Sequence, residues 1–173
     1  PVVLRGHLTA TLSPDGSVIA VGDAEGRILC WRRFQERFEL FRFTQISSLN
    51  GQPTGVAQLS FGAEDMLAIS AGQEVYRWWL GTAQTEPTWL MSVPSAITSL
   101  ACGGDEYVAA GLQNSTIKVW YESSESTVEL RGHSGPVREL AASQNLYSNH
   151  LASRGLGDRI LLWQVDEAKI PRR

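Results

Sequence analysis

His133, Ser153 and Asp158 are, by type, a base, a nucleophile and an orienting acid, the combination that nucleophilic hydrolysis requires. The remaining histidines are His7 and His150, and the cysteines are Cys30 and Cys102. A metal centre draws three or four convergent His, Cys, Asp or Glu ligands, and the spacing of these residues offers no such set. The acid pairs Glu64-Asp65 and Asp105-Glu106 stand at equivalent points of consecutive segments, which marks turn chemistry rather than a catalytic dyad. No Gly-rich phosphate loop of the Walker or dinucleotide type is present. Catalytic residues, metal ligands and cofactors are accordingly not expected.

The elements that must carry these side chains repeat. Four segments close in a short apolar run on tryptophan: Ile28 to Trp31, Val75 to Trp78, Ile117 to Trp120 and Ile160 to Trp163. Successive tryptophans lie 47, 42 and 43 residues apart, and a period of about 40–45 residues with a tryptophan-closed strand is the signature of a four-stranded propeller blade. Around each tryptophan the order is strand, turn, a second strand rich in Ala, Val and Ser, a tight turn, then the tryptophan strand. The first unit reads as strands at 8–12, 18–21, 27–31 and 38–43. The second reads as 56–61, 67–70, 74–79 and 89–93, and the third as 97–102, 107–110, 116–120 and 127–130. The fourth reads as 137–142, 150–153 and 159–165. In the Ser13-Pro14-Asp15-Gly16 turn, Pro14 presets φ and Gly16 accepts a positive one. No segment sustains a 3.6-residue period, so an all-β fold is expected. Residues 44–54 read as a surface loop, 81–88 as a lengthened hairpin, and Glu122 to Ser126 as a solvated hairpin tip able to accept phosphate.

Composition narrows the class. The chain has 173 residues, 43% hydrophobic and 19% charged, with 16 glycines and 7 prolines, enough to bury a sizeable core with many tight turns. A net charge of -3 gives no long-range attraction to phosphate backbones or anionic membranes. Arg32, Arg33, Arg37 and the terminal Lys169, Arg172 and Arg173 read as solvated charges. Cys30 and Cys102 lie in apolar strand-like runs without a CxxC pair, so buried free thiols in a reducing compartment are expected. Neither a membrane-length apolar run nor a signal-peptide pattern is seen, and the reading is an intracellular chain of cytoplasm or nucleus. A start at Pro1 suggests an excerpt of something longer or a processed start.

Two repeats carry a Gly-His pair before the first strand, Leu4-Arg5-Gly6-His7 and Leu130-Arg131-Gly132-His133. With the period, the Ser-Pro-Asp-Gly turn and the tryptophan strand, the chain resembles the WD-repeat β-propellers. The resemblance implies about four four-stranded antiparallel blades at 6–43, 55–93, 96–131 and 132–167, part of a larger, seven-bladed ring. Residues 1–5 would be an outer strand of another or the last blade. It also implies a hydrogen-bonded staple inside each blade, formed by the Gly-His histidine, a Ser or Thr of the second strand, an Asp of the next turn and the tryptophan. In the fourth repeat these places fall to His133, Ser153, Asp158 and Trp163, and elsewhere to His7, Trp31, Trp78 and Trp120. Departures are visible: Gly157 stands six residues before Trp163 with Asp158 one place late, and Glu25, Gly72 and Asn114 occupy the equivalent places. The literal Trp-Asp dipeptide is replaced by Trp31-Arg32, Trp78-Trp79, Trp120-Tyr121 and Trp163-Gln164.

A staple set satisfies buried polar groups and has no access to substrate, so the His-Ser-Asp trio reads as structural. The resemblance implies a non-catalytic protein–protein interaction scaffold inside a multiprotein assembly, whose partners are other proteins and further blades of a longer chain. Asp23, Glu25, Gln113, Asn114, Ser134 and Arg154, at exposed turns, are the candidate contacts. Adjacent strand residues point to opposite faces, so Trp78 and Trp79 cannot pack on one neighbour. Trp79 is therefore either a partner anchor or packing for the other adjacent blade, and Trp89 is left over. The alternatives are an enzyme built on the propeller, and an RNA-associated propeller of a ribonucleoprotein or ribosome-assembly complex that uses the arginines and the basic tail.

Overall fold

The computed structural model describes residues 3–47, 52–63, 65–143, 149–157 and 159–165. Alternating apolar residues separated by Gly, Asp and Asn turns give strands in the expected order. Blade one comprises β1 (Leu8–Leu12), β2 (Val18–Asp23), β3 (Arg27–Phe34) and β4 (Arg37–Gln45). Blade two comprises β5 (Val56–Phe61), β6 (Met66–Ala71), β7 (Glu74–Trp79) and β8 (Thr88–Ser92). Blade three comprises β9 (Ile97–Gly103), β10 (Tyr107–Leu112), β11 (Thr116–Tyr121) and β12 (Ser126–Arg131). Blade four comprises β13 (Val137–Ala142), β14 (His150–Gly155) and β15 (Ile160–Gln164). Each sheet is an antiparallel meander in sequence order, four-stranded in the first three blades and three-stranded among the described residues of the fourth. Residues 3–5 belong to no strand. The backbone N–H of Arg5 instead bonds Asp23 at 2.9 Å, and the Ala24 N–H donates to the Arg5 carbonyl at 3.2 Å.

The Ser-Pro-Asp-Gly turn closes as its residues dictate. Gly16 has φ 71°, a conformation that costs any other residue steric energy. Asp15 accepts from the Ser13 hydroxyl at 2.6 Å and the Ser17 N–H at 2.9 Å. The hydrogen bond from Ser13, then those from Ser17, pull its carboxyl down to about 2.

The core lies between blades, in three clusters that correspond to three seams. Val18, Ala20, Ile28 and Cys30 of blade one meet Leu59, Phe61, Leu67, Ile69 and Trp78 of blade two. Met66, Ala68, Val75 and Met91 of blade two meet Leu100, Val108, Ala110 and Trp120 of blade three. Tyr107, Ala109, Ile117 and Val119 of blade three meet Val137 and Leu151 of blade four, with Trp163 partly buried beside them. Each tryptophan of the period thus faces the preceding blade. Trp31 occupies the corresponding face of blade one, which no described blade covers, and is only partly buried.

The thiols are as the sequence implied. Cys30 and Cys102 are buried and unpaired with each other, and burial pushes both up to about 12, far from the thiolate that reactivity requires.

Seam burial sets unequal values on two outwardly similar residues. Trp78 is fully buried, whereas Trp89 is 54% exposed. In urea denaturation, Trp78→Ala is expected to cost about 3–5 kcal/mol, and Trp89→Ala within about 1 kcal/mol.

Candidate interaction rim and blade staples

In blade four three members of the expected staple, His133, Ser153 and Trp163, meet. Ser153 points from β14 toward blade three and is only 2% exposed. The indole N–H of Trp163 donates to Ser153 Oγ at 2.7 Å, and Oγ shares a second 2.7 Å hydrogen bond with His133 Nε2. The His133 and Trp163 rings stand 6.3 Å apart and tilted. A Cβ at Gly132 would lie 3.1 Å from the Trp163 ring and 3.3 Å from Leu161, which explains a glycine before the histidine. Asp158 lies outside the described residues. The hydroxyl is enclosed and held by the two hydrogen bonds of the staple, so the chemistry of His133, Ser153 and Trp163 is that of a clamp.

Blade one is braced differently. His7 is exposed rather than stapled; the equivalent of Ser153, one strand pair along, is Val21, which pairs Leu29 as Ser153 pairs Leu161 and offers no oxygen. Asp23 takes over. Its carboxylate accepts from the N–H groups of Arg5 (2.9 Å), Glu25 (2.9 Å) and Arg27 (3.0 Å), and from Arg27 Nε (2.8 Å), with Arg27 Nη2 at 2.6 Å. Asp23 is fully buried, so it is not the exposed contact that a turn aspartate suggests. Burial by itself would raise its carboxyl, but the Arg27 side chain and the Arg5, Arg27 and Glu25 N–H groups outweigh that and hold it below the usual carboxylate value. In blade three the matching turn is tied by Asn114 Oδ1, which accepts from the Thr116 hydroxyl at 2.9 Å and its N–H at 3.3 Å.

Cations occupy the seams. Arg32 lies 4.4 Å above the Phe41 ring and reaches Asp65 of blade two at 2.5 Å. Arg77 stands between Trp79 (5.6 Å) and Trp120 of blade three (5.4 Å) and pairs with Glu122. Trp79 is partly buried and packs against the second seam cluster, the blade-packing alternative of the two that the sequence offers for it. Sequence reasoning missed this arginine; its signal was a cation flanked by aromatics in Val75-Tyr76-Arg77-Trp78-Trp79.

Of the remaining rim candidates, Glu25, Gln113, Asn114 and Ser134 are exposed. Their backbones are pinned: Glu25 by Asp23, and Gln113 by a 2.9 Å bond from its N–H to the Ala96 carbonyl. Arg154 is exposed too, but inside β14 on the outer face of blade four, paired with Glu139 at 2.6 Å. It is therefore a sheet-face residue and not a turn residue.

No family model matches the chain. It is 27% identical over 183 residues to telomerase protein component 1 of Rattus norvegicus, covering 97% of this chain and 6% of that protein. It is 32% identical over 103 residues to the anaphase-promoting complex subunit cdc20 of Dictyostelium discoideum, covering 58% of this chain and 20% of that protein. Among solved structures, the WD40 repeats of RRP9 superpose with a TM-score of 0.71 at 19% identity, over 94% of this chain and 50% of that one. The fold is that of the WD-repeat β-propellers. The chain spans a small part of these relatives and half of that propeller. The fourth blade carries a His-Ser-Trp clamp, and the first is braced by Asp23 and Arg27.

Both braces are measurable. Ser153→Ala strands the Trp163 N–H and is expected to cost about 1–3 kcal/mol. Asp23→Ala is expected to cost about 2–4 kcal/mol at pH 7. Because the folded-state value of Asp23 is lowered, its stabilisation is complete above the ordinary carboxyl value of about 4 and disappears as pH falls through the lowered one. The gap between wild type and Asp23→Ala in thermal or urea unfolding therefore narrows on acidification from about pH 5 toward pH 2.

Proposed function

We propose that this chain is a non-catalytic protein–protein interaction module, a propeller segment within a multiprotein assembly. One observation carries the reading: the groups with chemical potential are spent inside blades, while the turns above them hold polar side chains outward on pinned backbone. Ser153 is closed into its staple, whereas Glu25, Gln113, Asn114 and Ser134 face solvent. Rigidly presented side chains lose little entropy when they bind, which is the basis of preorganised recognition. The printed names of the relatives, a telomerase component and a complex subunit, agree with membership in assemblies. The same reading places the chain inside the cell, in cytoplasm or nucleus, as part of a larger ring with further blades and with residues 1–5 as a strand of a neighbouring or last blade. Among the described residues no helix is long and apolar enough to cross a membrane.

An RNA-binding role draws support from a relative named as a telomerase component, but the arginines weigh against it. Of the three hairpin arginines that reading relies on, Arg32 is paired with a carboxylate, and Arg33 and Arg37 are exposed on the β3–β4 hairpin. The basic tail lies outside the described residues.

Affinity capture from cell extract, compared between wild type and the Gln113→Lys variant, tests the module reading. Loss of specific partners with an unchanged unfolding midpoint is expected; an identical partner set removes this rim. RNA retention at low salt, falling steeply as salt rises, would move the assignment to the RNA reading.

A further inference from the structure

The β3–β4 hairpin is longer than its counterparts. β3 and β4 have 8 and 9 residues, against 6 and 5 in β7 and β8 and 6 each in β11 and β12. Its tip overhangs the array. Phe34 stands on the face of β3 that carries Ile28 and Cys30 against blade two, yet it is 65% exposed, whereas those two are fully buried. Blade two is in place beside it, so this exposure comes from the reach of the hairpin. Gln35 and Glu36 make the turn, with Gln35 at φ 54°, and Phe34, Gln35, Glu36, Arg37 and Glu39 line an open hollow of about 570 Å³.

β4 is the outermost strand of its sheet, and its free edge points outward in the plane of the sheet, not toward a neighbouring blade. The ladder fixes which backbone groups that edge presents. Arg33 lies opposite Phe38, but the Arg33 N–H donates the other way, to the Ser17 carbonyl at 2.7 Å. Arg33 and Phe38 are therefore a non-hydrogen-bonded pair, whose backbone groups point away from each other. The N–H and C=O of Phe38 are thus directed out of the edge. Arg37 and Glu39 flank it, and among the described residues neither makes an ion pair or a side-chain hydrogen bond. A bulge follows: Arg42 pairs Cys30 and Leu40 pairs Trp31, so Phe41 has no partner in the ladder. That bend ends the regular edge at Leu40.

We propose that this edge is a self-association site, at which a second copy of the chain adds its own β4 antiparallel about a two-fold axis at Phe38. The outward N–H and C=O of the two Phe38 residues then exchange hydrogen bonds. Arg37 of each copy falls opposite Glu39 of the other, in the non-hydrogen-bonded position where side chains approach most closely. Both contacts are of opposite sign, and they lie on the Phe34 face, where the hollow has room for them. Moving the axis to Arg37 or to Glu39 would set like charges opposite each other, so the charges also select the register. The other outer strands lack this arrangement: β8 holds no charged residue, and Glu129 and Arg131 of β12 are already paired with each other at 2.6 Å. A two-fold contact uses the same patch on both copies and closes at the dimer.

Sedimentation equilibrium of the whole chain from about 10 to 500 μM at low salt tests the proposal, a range suited to a contact this small. Wild type is expected to pass from monomer to dimer within it. Arg37→Glu and Glu39→Arg each set two like-charge pairs across the edge, and each is expected to weaken dimerisation about tenfold or more. An equimolar mixture of these two variants restores opposite charges at both contacts and is expected to associate as wild type does. Phe38→Pro removes the outward N–H without breaking a β3–β4 hydrogen bond, and is expected to abolish the dimer. A wild type that stays monomeric overturns the proposal, as do single variants that dimerise as tightly as wild type or a mixture that fails to associate. Circular dichroism and the urea midpoint report folding, and the charge-swap mixture decides alone should Phe38→Pro unfold.

Discussion

A blade of this chain is apolar on both faces, and everything else in the structure follows from the need to cover both. Such a sheet has no stable existence alone; it buries itself only by lying between two others. The interior is accordingly divided into seam clusters, and close approach sets what each seam tolerates. Ala20, Ala68, Ala109 and Ala152 occupy one equivalent position of the second strand through all four blades. Small residues there let the next sheet come close, and the tryptophan of each incoming blade fills the space farther from the inner strands. The sequence period is the visible trace of this packing.

Charged groups enter the seams where aromatic faces and carboxylates receive them. Burial drives the Arg77 guanidinium below its ordinary value, yet it is kept, because Trp79 and Trp120 offer their faces and Glu122 its carboxylate. Arg32 repeats the arrangement with Phe41 and Asp65. Hydrogen bonds add direction: Thr98 reaches the Val137 carbonyl at 2.5 Å, and the Tyr107 hydroxyl reaches the His150 carbonyl at 3.1 Å. Apolar contact supplies most of the attraction, but it is non-directional; these contacts fix which strand of the neighbour lies opposite.

Strands were legible in the chain because alternation and turn residues agree with each other at every blade. Most edges fall within a residue or two of the expected ones. The largest difference, the β3–β4 hairpin, arises because Arg32 and Arg33 read as solvated charges, whereas Arg32 pairs Glu39 across the ladder and covers Phe41. Asp23 misled in the same way, since a turn aspartate is ordinarily at the surface; only the return of Arg27 against it makes burial tolerable. His7 misled for a different reason. Its Gly-His motif is intact, but a staple is a relation among residues, and Val21 had already removed the hydroxyl it needs.

That relation bears on function more than any single motif does. A histidine and a serine at hydrogen-bond distance have the makings of a nucleophile and its base, but reactivity also needs a place for substrate beside the oxygen. In blade four that place is taken by Trp163, whose indole N–H holds the oxygen and whose ring packs beside the histidine. The same contacts that would activate a hydroxyl in a cleft here immobilise it in a wall. What the fold leaves to recognition is its rim, where Glu25, Gln113 and Asn114 are exposed on fixed turns, and its end faces, where a seam's apolar surface meets water. Rim and end face make different demands on a partner: the rim offers polar groups on fixed backbone, whereas the end face of blade four offers two exposed aliphatic side chains, Ile160 and Leu162, beside an ion pair.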